Sequence, residues 1–344
     1  MKDGGLPHGE GKKFLRIRAD LVARIRSGEW GAGALLPTRE ALAKEYGTTK
    51  ATLEKAVSRL IAEGYLGAIR KKGTFVGEQN PPASVALVAP PSAGSNLEAP
   101  QGDSVFLSAS EGFWKNPGRL KPRLLPWPVF MADPTGWEAA VFLYPEEVEL
   151  KAARALHQDS GLRIFAINRM PGGIDYVSYD HRRACQEALL RYGKILARPF
   201  LPVFLEVKKP SLPVVYRREG FLAACASLGL YYRVLTLDSW DHAGQALEAV
   251  GAPHPLAVIS ASGHASPSVA SLVRRRGLTP GSDFWYTGFD DEDPAGRLGI
   301  AFSTFRQVPV ILGELAAAML ADLIDGKIKS AHEALPVPFV EGVS

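Results

Sequence analysis

Leu36-Pro37-Thr38-Arg39-Glu40-Ala41-Leu42-Ala43-Lys44-Glu45-Tyr46-Gly47-Thr48-Thr49-Lys50-Ala51-Thr52-Leu53 contains two helix starts with a glycine stop between them. Pro37-Thr38 opens the first, with Thr38 as N-cap, and Gly47 ends it. Thr48-Thr49 signals the next. From there Leu53, Ala56, Val57, Leu60 and Ile61 fall on one helical face, and Gly64 closes the run. Upstream, Phe14, Ile17, Leu21 and Ile25 recur at spacings of three and four, which predicts an earlier helix that Gly28 can end. Downstream, Tyr65–Ile69 and Thr74–Val76 read as short strands joined through Arg70-Lys71-Lys72-Gly73. That tip is excluded from any core, because three adjacent cations would each need a partner.

Charge singles out the same segment. The chain has 344 residues and a net charge of +4. Residues 1–78 hold 15 of the 40 Lys and Arg and 9 of the 36 Asp and Glu, a net of +6; the other 25 basic and 27 acidic residues leave −2. Thr49, Lys50 and Thr52 start the third helix with short polar and cationic groups that can enter a major groove. Arg70, Lys71 and Lys72 are placed to meet phosphate or the minor groove. Tyr46-Gly47-Thr48 supplies the tight turn of a helix-turn-helix. A basic, solvated face without a ligand would explain the charge equally well, but not the spacing.

The spacing is the more specific feature. Leu36-Pro37-Thr38-Arg39-Glu40-x-Leu42-Ala43, Thr49-Lys50-x-Thr52-Leu53, Ala56-Val57-x-x-Leu60, Glu63-Gly64-Tyr65-Leu66 and Gly73-Thr74-Phe75-Val76 together resemble the winged helix-turn-helix of GntR-type transcription regulators. The resemblance covers nearly all of residues 12–78. It implies DNA contacts at Arg39, matched to the arginine of the family's Leu-Pro-Ser-Glu-Arg stretch. It also implies contacts at Thr49, Lys50 and Thr52 on the recognition helix, and at Lys72 and Gly73 on the wing. Glu54 departs from the pattern, standing where the family often has a base-reading arginine. A carboxylate there repels phosphate but can accept a hydrogen bond from cytosine N4.

Residues 79–83 read as a stiff linker with two prolines. From Ser84 onward, apolar strand runs such as Val85–Ala89, Ala139–Tyr144, Ile164–Ile167, Leu201–Val207, Leu256–Ile259 and Phe284–Gly288 alternate with helical segments. Solidly apolar strands alternating with helices imply parallel sheets covered on both faces, and the length suits two α/β lobes. The expected division is a first lobe of about 84–179 and 303–328, and a second of about 180–302 and 329–344. Residues 91–136 are proline-dense, show no clean period and leave their structure open.

Such sheets bind ligands at the carboxyl ends of their strands. Arg217, expected to open a helix, the acidic turn Gly288–Asp293 and Gln307 supply donors and acceptors suited to hydroxyls. Val177-x-x-Asp180, Arg217-x-x-Gly220-Phe221, Gly288-Phe289-Asp290-Asp291, Ser303-Thr304-Phe305-x-Gln307 and Leu335-Pro336-x-Pro338-Phe339-Val340 resemble the LacI-type effector domain, related to periplasmic sugar-binding proteins. The resemblance implies ligand contacts at Arg217, Asp290 and Gln307, and at Asn168-Arg169, where the family has Asp-Arg. Ser262-Gly263 stands where the family has Asn-Asp. The implied architecture is an N-terminal winged helix-turn-helix followed by a two-lobed periplasmic-binding-protein-like α/β domain. It is similar to arabinose-responsive repressors, with a sugar-like ligand between the lobes. LacI relatives insert a hinge helix into the minor groove, to which the proline-bearing linker is poorly suited.

Other classes are disfavoured. Cys185 and Cys225 are too few for a disulfide framework or a four-thiolate zinc site. No apolar run is long enough to cross a bilayer and the N-terminus has no signal-peptide core, so a cytoplasmic location without membrane contact is expected. Nucleophile-elbow, phosphate-loop and zinc-protease motifs are absent from the sequence, and the seven histidines lack ligand spacing. No catalytic residue, metal or cofactor is therefore expected. The expected function is a transcription regulator, repressor being the expected sign. It would act as a homodimer on a pseudo-palindromic double-stranded DNA operator under control of a carbohydrate effector. The alternative, a transport-type solute-binding protein with a repurposed basic head, is disfavoured by that head.

Overall fold

A computed structural model describes residues 8–69, 73–77, 82–91, 105–196, 199–251, 255–290 and 299–342. The head is built as its caps dictate. Helix α1 (His8–Arg26) precedes α2 (Arg39–Glu45), whose N-cap Thr38 accepts the Ala41 N–H. Helix α3 (Lys50–Ala62) is capped by Thr49, which accepts the Thr52 N–H. Strands β1 (Leu66–Ile69) and β2 (Gly73–Val76) pair antiparallel, with Ile69 opposite Gly73. Leu21, Leu42, Leu53, Ala56, Val57 and Leu60 form the fully buried centre of this head. The cationic wing tip, residues 70–72, lies outside the described residues, as do residue 78 and linker residues 79–81. Ala83 already begins β3 (Ala83–Ala89), so the strand starts inside the segment expected to be linker.

Two compact units divide the chain: residues 1–178 with 309–333, and 179–308 with 334–344. The head is thus part of the first unit rather than a separate body. The first unit's sheet contains β3, β4 (Leu120–Pro126), β5 (Ala139–Leu143), β6 (Arg163–Ile167), β7 (Asp175–Tyr179) and β13 (His332–Leu335), in the order β13-β7-β6-β5-β3-β4. From β4 through β7 all neighbours are parallel. Helices α4 (Val105–Lys115), α5 (Trp127–Ala132), α6 (Glu147–Ser160) and α11 (Pro309–Ile324) belong to this unit.

Residues 105–132 resolve the proline-dense stretch that had no readable period. Pro122 lies in β4, an edge strand paired only with β3, where a missing N–H costs least. Pro126 caps α5 and Pro128 occupies its first turn. These prolines interrupt the pattern without breaking the elements.

The second unit's sheet has the order β14-β12-β11-β10-β8-β9. Its strands are β8 (Leu201–Val207), β9 (Arg233–Leu237), β10 (Leu256–Ser260), β11 (Phe284–Phe289), β12 (Ser303–Phe305) and β14 (Phe339–Val340), the last antiparallel to β12. Helices α7 (His181–Ile195), α8 (Leu212–Leu228), α9 (Ala243–Ala249) and α10 (Ser266–Arg276) complete it. The expected lobe boundaries are corrected here. Residues 303–308 belong to the second unit, because Thr287, Gly288 and Phe289 pair in parallel with Ser303, Thr304 and Phe305. Residues 329–333 belong to the first, where the Tyr176 N–H donates to the Ala331 carbonyl.

Helix α8 starts at Leu212, not at Arg217, because Pro213 sits in its first turn, where proline is tolerated. Cys185 and Cys225 are free and buried, and burial pushes both thiols up to about 12. Among the described residues, no helix is long and apolar enough to cross a membrane.

Candidate functional site

Two sites emerge, one in the head and one at strand ends in the second unit. In the head, the α2 and α3 N-termini present Arg39, Thr49 and Lys50. Each cation is held by a carboxylate. The Arg39 Nε donates to Glu54 Oε2 at 2.9 Å, and Lys50 Nζ lies 2.6 Å from Glu40 Oε1. The hydrogen bond between Lys50 and Glu40 raises the lysine's pKa and lowers the glutamate's. Thr49 is exposed.

Thr52, expected among the DNA contacts, is buried, and its hydroxyl lies 2.9 Å from that of Thr49. It builds the cap. Gly73 is exposed with φ 104°, a left-handed conformation that glycine adopts freely at the end of the wing loop. Lys72 lies outside the described residues.

Glu54 is the residue whose role the sequence reading left open, and its pairing suggests one. It is half exposed and takes Nε of Arg39, leaving the two terminal nitrogens of the guanidinium for other acceptors. Glu54→Ala is therefore expected to raise affinity for duplexes of unrelated sequence several-fold at low salt, by removing a negative charge beside phosphate. Fluorescence anisotropy with a labelled duplex measures this, and weaker binding by the variant would contradict it.

The second site gathers residues from the carboxyl ends of β10, β11 and β12, the position at which parallel sheets bind ligands. Arg217, one and a half turns into α8, is buried. Its Nη1 donates to the Ala261 carbonyl at 2.6 Å, and its Nε to His181 Nδ1 at 3.3 Å. The guanidinium lies 3.8 Å from the Phe289 ring centroid and 3.7 Å from Asp290 Oδ2. Asp290 accepts the Gln307 N–H at 2.9 Å on Oδ1 and the Gln307 side-chain amide at 2.5 Å on Oδ2. Ser262 adjoins the Ala261 anchor and caps a short turn by accepting the His264 N–H. Arg217, Ser262, Asp290 and Gln307 are thus brought together at one end of the second sheet. The acidic residues 291–293 lie outside the described residues.

Asn168 and Arg169 lie in the first unit, just after β6. The Arg169 guanidinium is buried, donates to Glu146 Oε1 at 2.6 Å and lies 5.8 Å from the Tyr144 ring centroid. Asn168 has φ 60°, Tyr144 φ 52° and Asp290 φ 55°. All three follow strand ends directly, and non-glycine residues held in this region concentrate at ligand sites.

Sequence reasoning missed His181, Phe289, Tyr144 and Glu146. His181 is fully buried, with Nδ1 facing Arg217. The cluster combines a multivalent donor, a carboxylate acceptor and an amide, which suits hydroxyl-bearing ligands. Among its described residues, no nucleophile is paired with a base. Among the described residues, no group of three or more His, Cys, Asp or Glu could hold a metal ion.

Comparison with known proteins finds matches to the head and to much of the body. Residues 14–76 match the family described as bacterial regulatory proteins of the gntR family, and residues 204–344 match the periplasmic binding protein-like domain. The HTH-type transcriptional regulator TreR of Bacillus subtilis is 39% identical over 64 residues, 19% of this chain and 27% of that protein. The arabinose metabolism transcriptional repressor of Geobacillus stearothermophilus is 29% identical over 85 residues, 25% of this chain and 22% of the relative. The chain thus spans about a quarter of the length of the curated relatives it matches.

Solved structures share the fold over far more of the chain. The complex of transcriptional regulator CelR with cellobiose aligns at TM-score 0.58 and 18% identity, covering 90% of this chain and 100% of that one. A LacI family regulator from Enterococcus faecalis with bound ribose aligns at TM-score 0.57 and 14% identity, covering 76% and 98%.

Proposed function

We propose that this chain, in which a GntR-type winged helix-turn-helix is joined to a periplasmic-binding-protein-like body, is a transcription regulator that binds double-stranded DNA with its head and a small effector with its body. The observation that carries the reading is the presence in one chain of an exposed Thr49–Lys50 helix start and a strand-end cluster of Arg217, Asp290 and Gln307. A carbohydrate is the effector class that fits these donors and acceptors. The similar folds that carry cellobiose and ribose make sugars the first class to screen.

The regulator acts as a cytoplasmic homodimer in this reading, two heads meeting two half-sites of a roughly palindromic operator. Ligand binding alters how the two heads are presented and so changes operator affinity. Arg39, Thr49, Lys50, Lys72 and Gly73 make the DNA contacts, and Arg217, Asp290, Gln307, Ser262, Asn168 and Arg169 serve the effector.

Salt titration tests the DNA half. With duplexes selected from a random library, log affinity is expected to fall linearly with log salt at about −0.9 per phosphate neutralised. A protein meeting about six phosphates would lose roughly 10³-fold between 50 and 200 mM. Binding indifferent to salt in that range would sink the reading. Lys50→Ala is expected to weaken binding by roughly tenfold; an unchanged affinity would remove the α3 N-terminus from the groove.

A further inference from the structure

Within the first unit, the head meets the lobe through a buried polar contact. Arg26, in the last turn of α1, and Glu138, the residue before β5, have side chains 1% and 5% exposed, with Nη2 2.9 Å from Oε2. Tyr65, which leads from α3 into the wing, donates its hydroxyl to the same Glu138 oxygen and accepts from Arg26. Burial raises the pKa of the Glu138 carboxyl, while the Arg26 charge lowers it.

Two glycines let the elements approach. Gly326 has φ 68°, and a Cβ there would lie 3.3 Å from the Cα of Ser27 in the head; Gly136 has φ 83°, and a Cβ there would lie 2.9 Å from the Arg59 guanidinium. Beside this contact lies a cavity of about 590 Å³, with Arg26 and Glu138 on its wall together with Arg16, Asp20, Arg163 and Asp175. Helix α1 also packs on the lobe directly, since a Cβ at Gly161, which caps α6, would lie 3.6 Å from the Cα of Arg16.

The lobe partner is well placed to transmit movement. Glu138 stands at the amino end of β5, whose five residues are all buried. The carboxyl end of the same strand leads into Tyr144, with φ 52°, and on to Glu146, which grips Arg169. A strand of five residues spans about 17 Å as a rigid element. Buried charges hold only while paired, so the triad is intact with the head seated and costly once the head leaves.

We propose that the α1–Tyr65 face of the head is a docking surface for the first lobe of the same chain. Its Arg26–Tyr65–Glu138 contact couples β5, and the Glu146–Arg169 pair at the far end of β5, to the winged helix. The coupling to DNA binding rests on the proposed function; the docking does not.

Full-length protein spin-labelled at Lys55→Cys in α3 and Lys151→Cys in α6 tests this by pulsed electron spin resonance, since Cys185 and Cys225 are buried. A single narrow distance distribution is expected in the parent. Arg26→Leu and Glu138→Leu should each broaden it at least twofold, and the double substitution should restore it, because two apolar side chains leave no orphaned charge. Where a single variant fails to fold by circular dichroism, Tyr65→Phe decides, with broadening again expected. A broad parent distribution, or a narrow one insensitive to every variant, overturns the docking.

Arg169→Ala should shift the mean distance in the docked protein and not in Glu138→Leu; no shift in the docked protein overturns the coupling. A parent that fails to bind any duplex at low salt would defeat the DNA-binding reading while leaving the docking intact.

Discussion

Replacing Arg217 with alanine is expected to abolish ligand-induced stabilisation while leaving a folded protein. Its guanidinium satisfies the Ala261 carbonyl and His181 Nδ1, stacks on Phe289 and faces Asp290. Truncation leaves buried acceptors without donors, costing about 2–4 kcal/mol of folding stability. The check is a thermal-shift panel of monosaccharides and their derivatives on parent and variant. A ligand of the native state raises the melting temperature by mass action, by about 2.7 kcal/mol of stabilisation at 100 times its dissociation constant. Any sugar that shifts the parent should leave the variant unmoved. An equal shift in both would place Arg217 among structural residues only, and the effector elsewhere. Affinity for a duplex in the absence of sugar should be unchanged, since Arg217 lies in the second unit and the head in the first.

Gly220→Val is expected to bring a general loss of stability. A Cβ at Gly220 would lie 2.0 Å from the Arg182 carbonyl oxygen, so α7 and α8 meet backbone to backbone at this point. A backbone carbonyl cannot swing away as a flexible side chain can. The helices would have to separate by more than an ångström, at a cost of about 3 kcal/mol or more. Urea denaturation followed by circular dichroism measures it, and a midpoint within error of the parent's would show that the crossing has slack. Because α8 carries Arg217 and α7 begins at His181, any folded fraction should also lose the sugar response.

Legibility of the head and of the second site differed for physical reasons. Thr38, Thr49, Gly47 and Gly64 announced the head's helices because capping and left-handed turns depend on residues within four positions of each other. Arg217, Asp290 and Gln307 could be named because their motifs are short and local. Their assembly could not be read, because it depends on β10, β11 and β12 lying side by side in one sheet. The residues from 303 to 308 were placed in the wrong lobe for the same reason. A three-residue strand carries no period long enough to show which sheet it joins.

His181 and Arg26 make the point at single-residue level. Nothing in the neighbourhood of His181 distinguishes a buried imidazole facing an arginine 36 positions away from a solvated one. Arg26 looks from its spacing like one more exposed cation off the apolar stripe of α1. Only the approach of Glu138, 112 positions along the chain, makes it a buried ion-pair partner.

Helix starts and stops, strand alternation and the concentration of positive charge in residues 1–78 are properties of neighbouring residues, and the order of amino acids was sufficient for them. Which strands lie together, which cations are neutralised, and the seating of the head on the first lobe are properties of distant residues. They were decided when packing brought those residues within a few ångströms, where burial makes pairing obligatory.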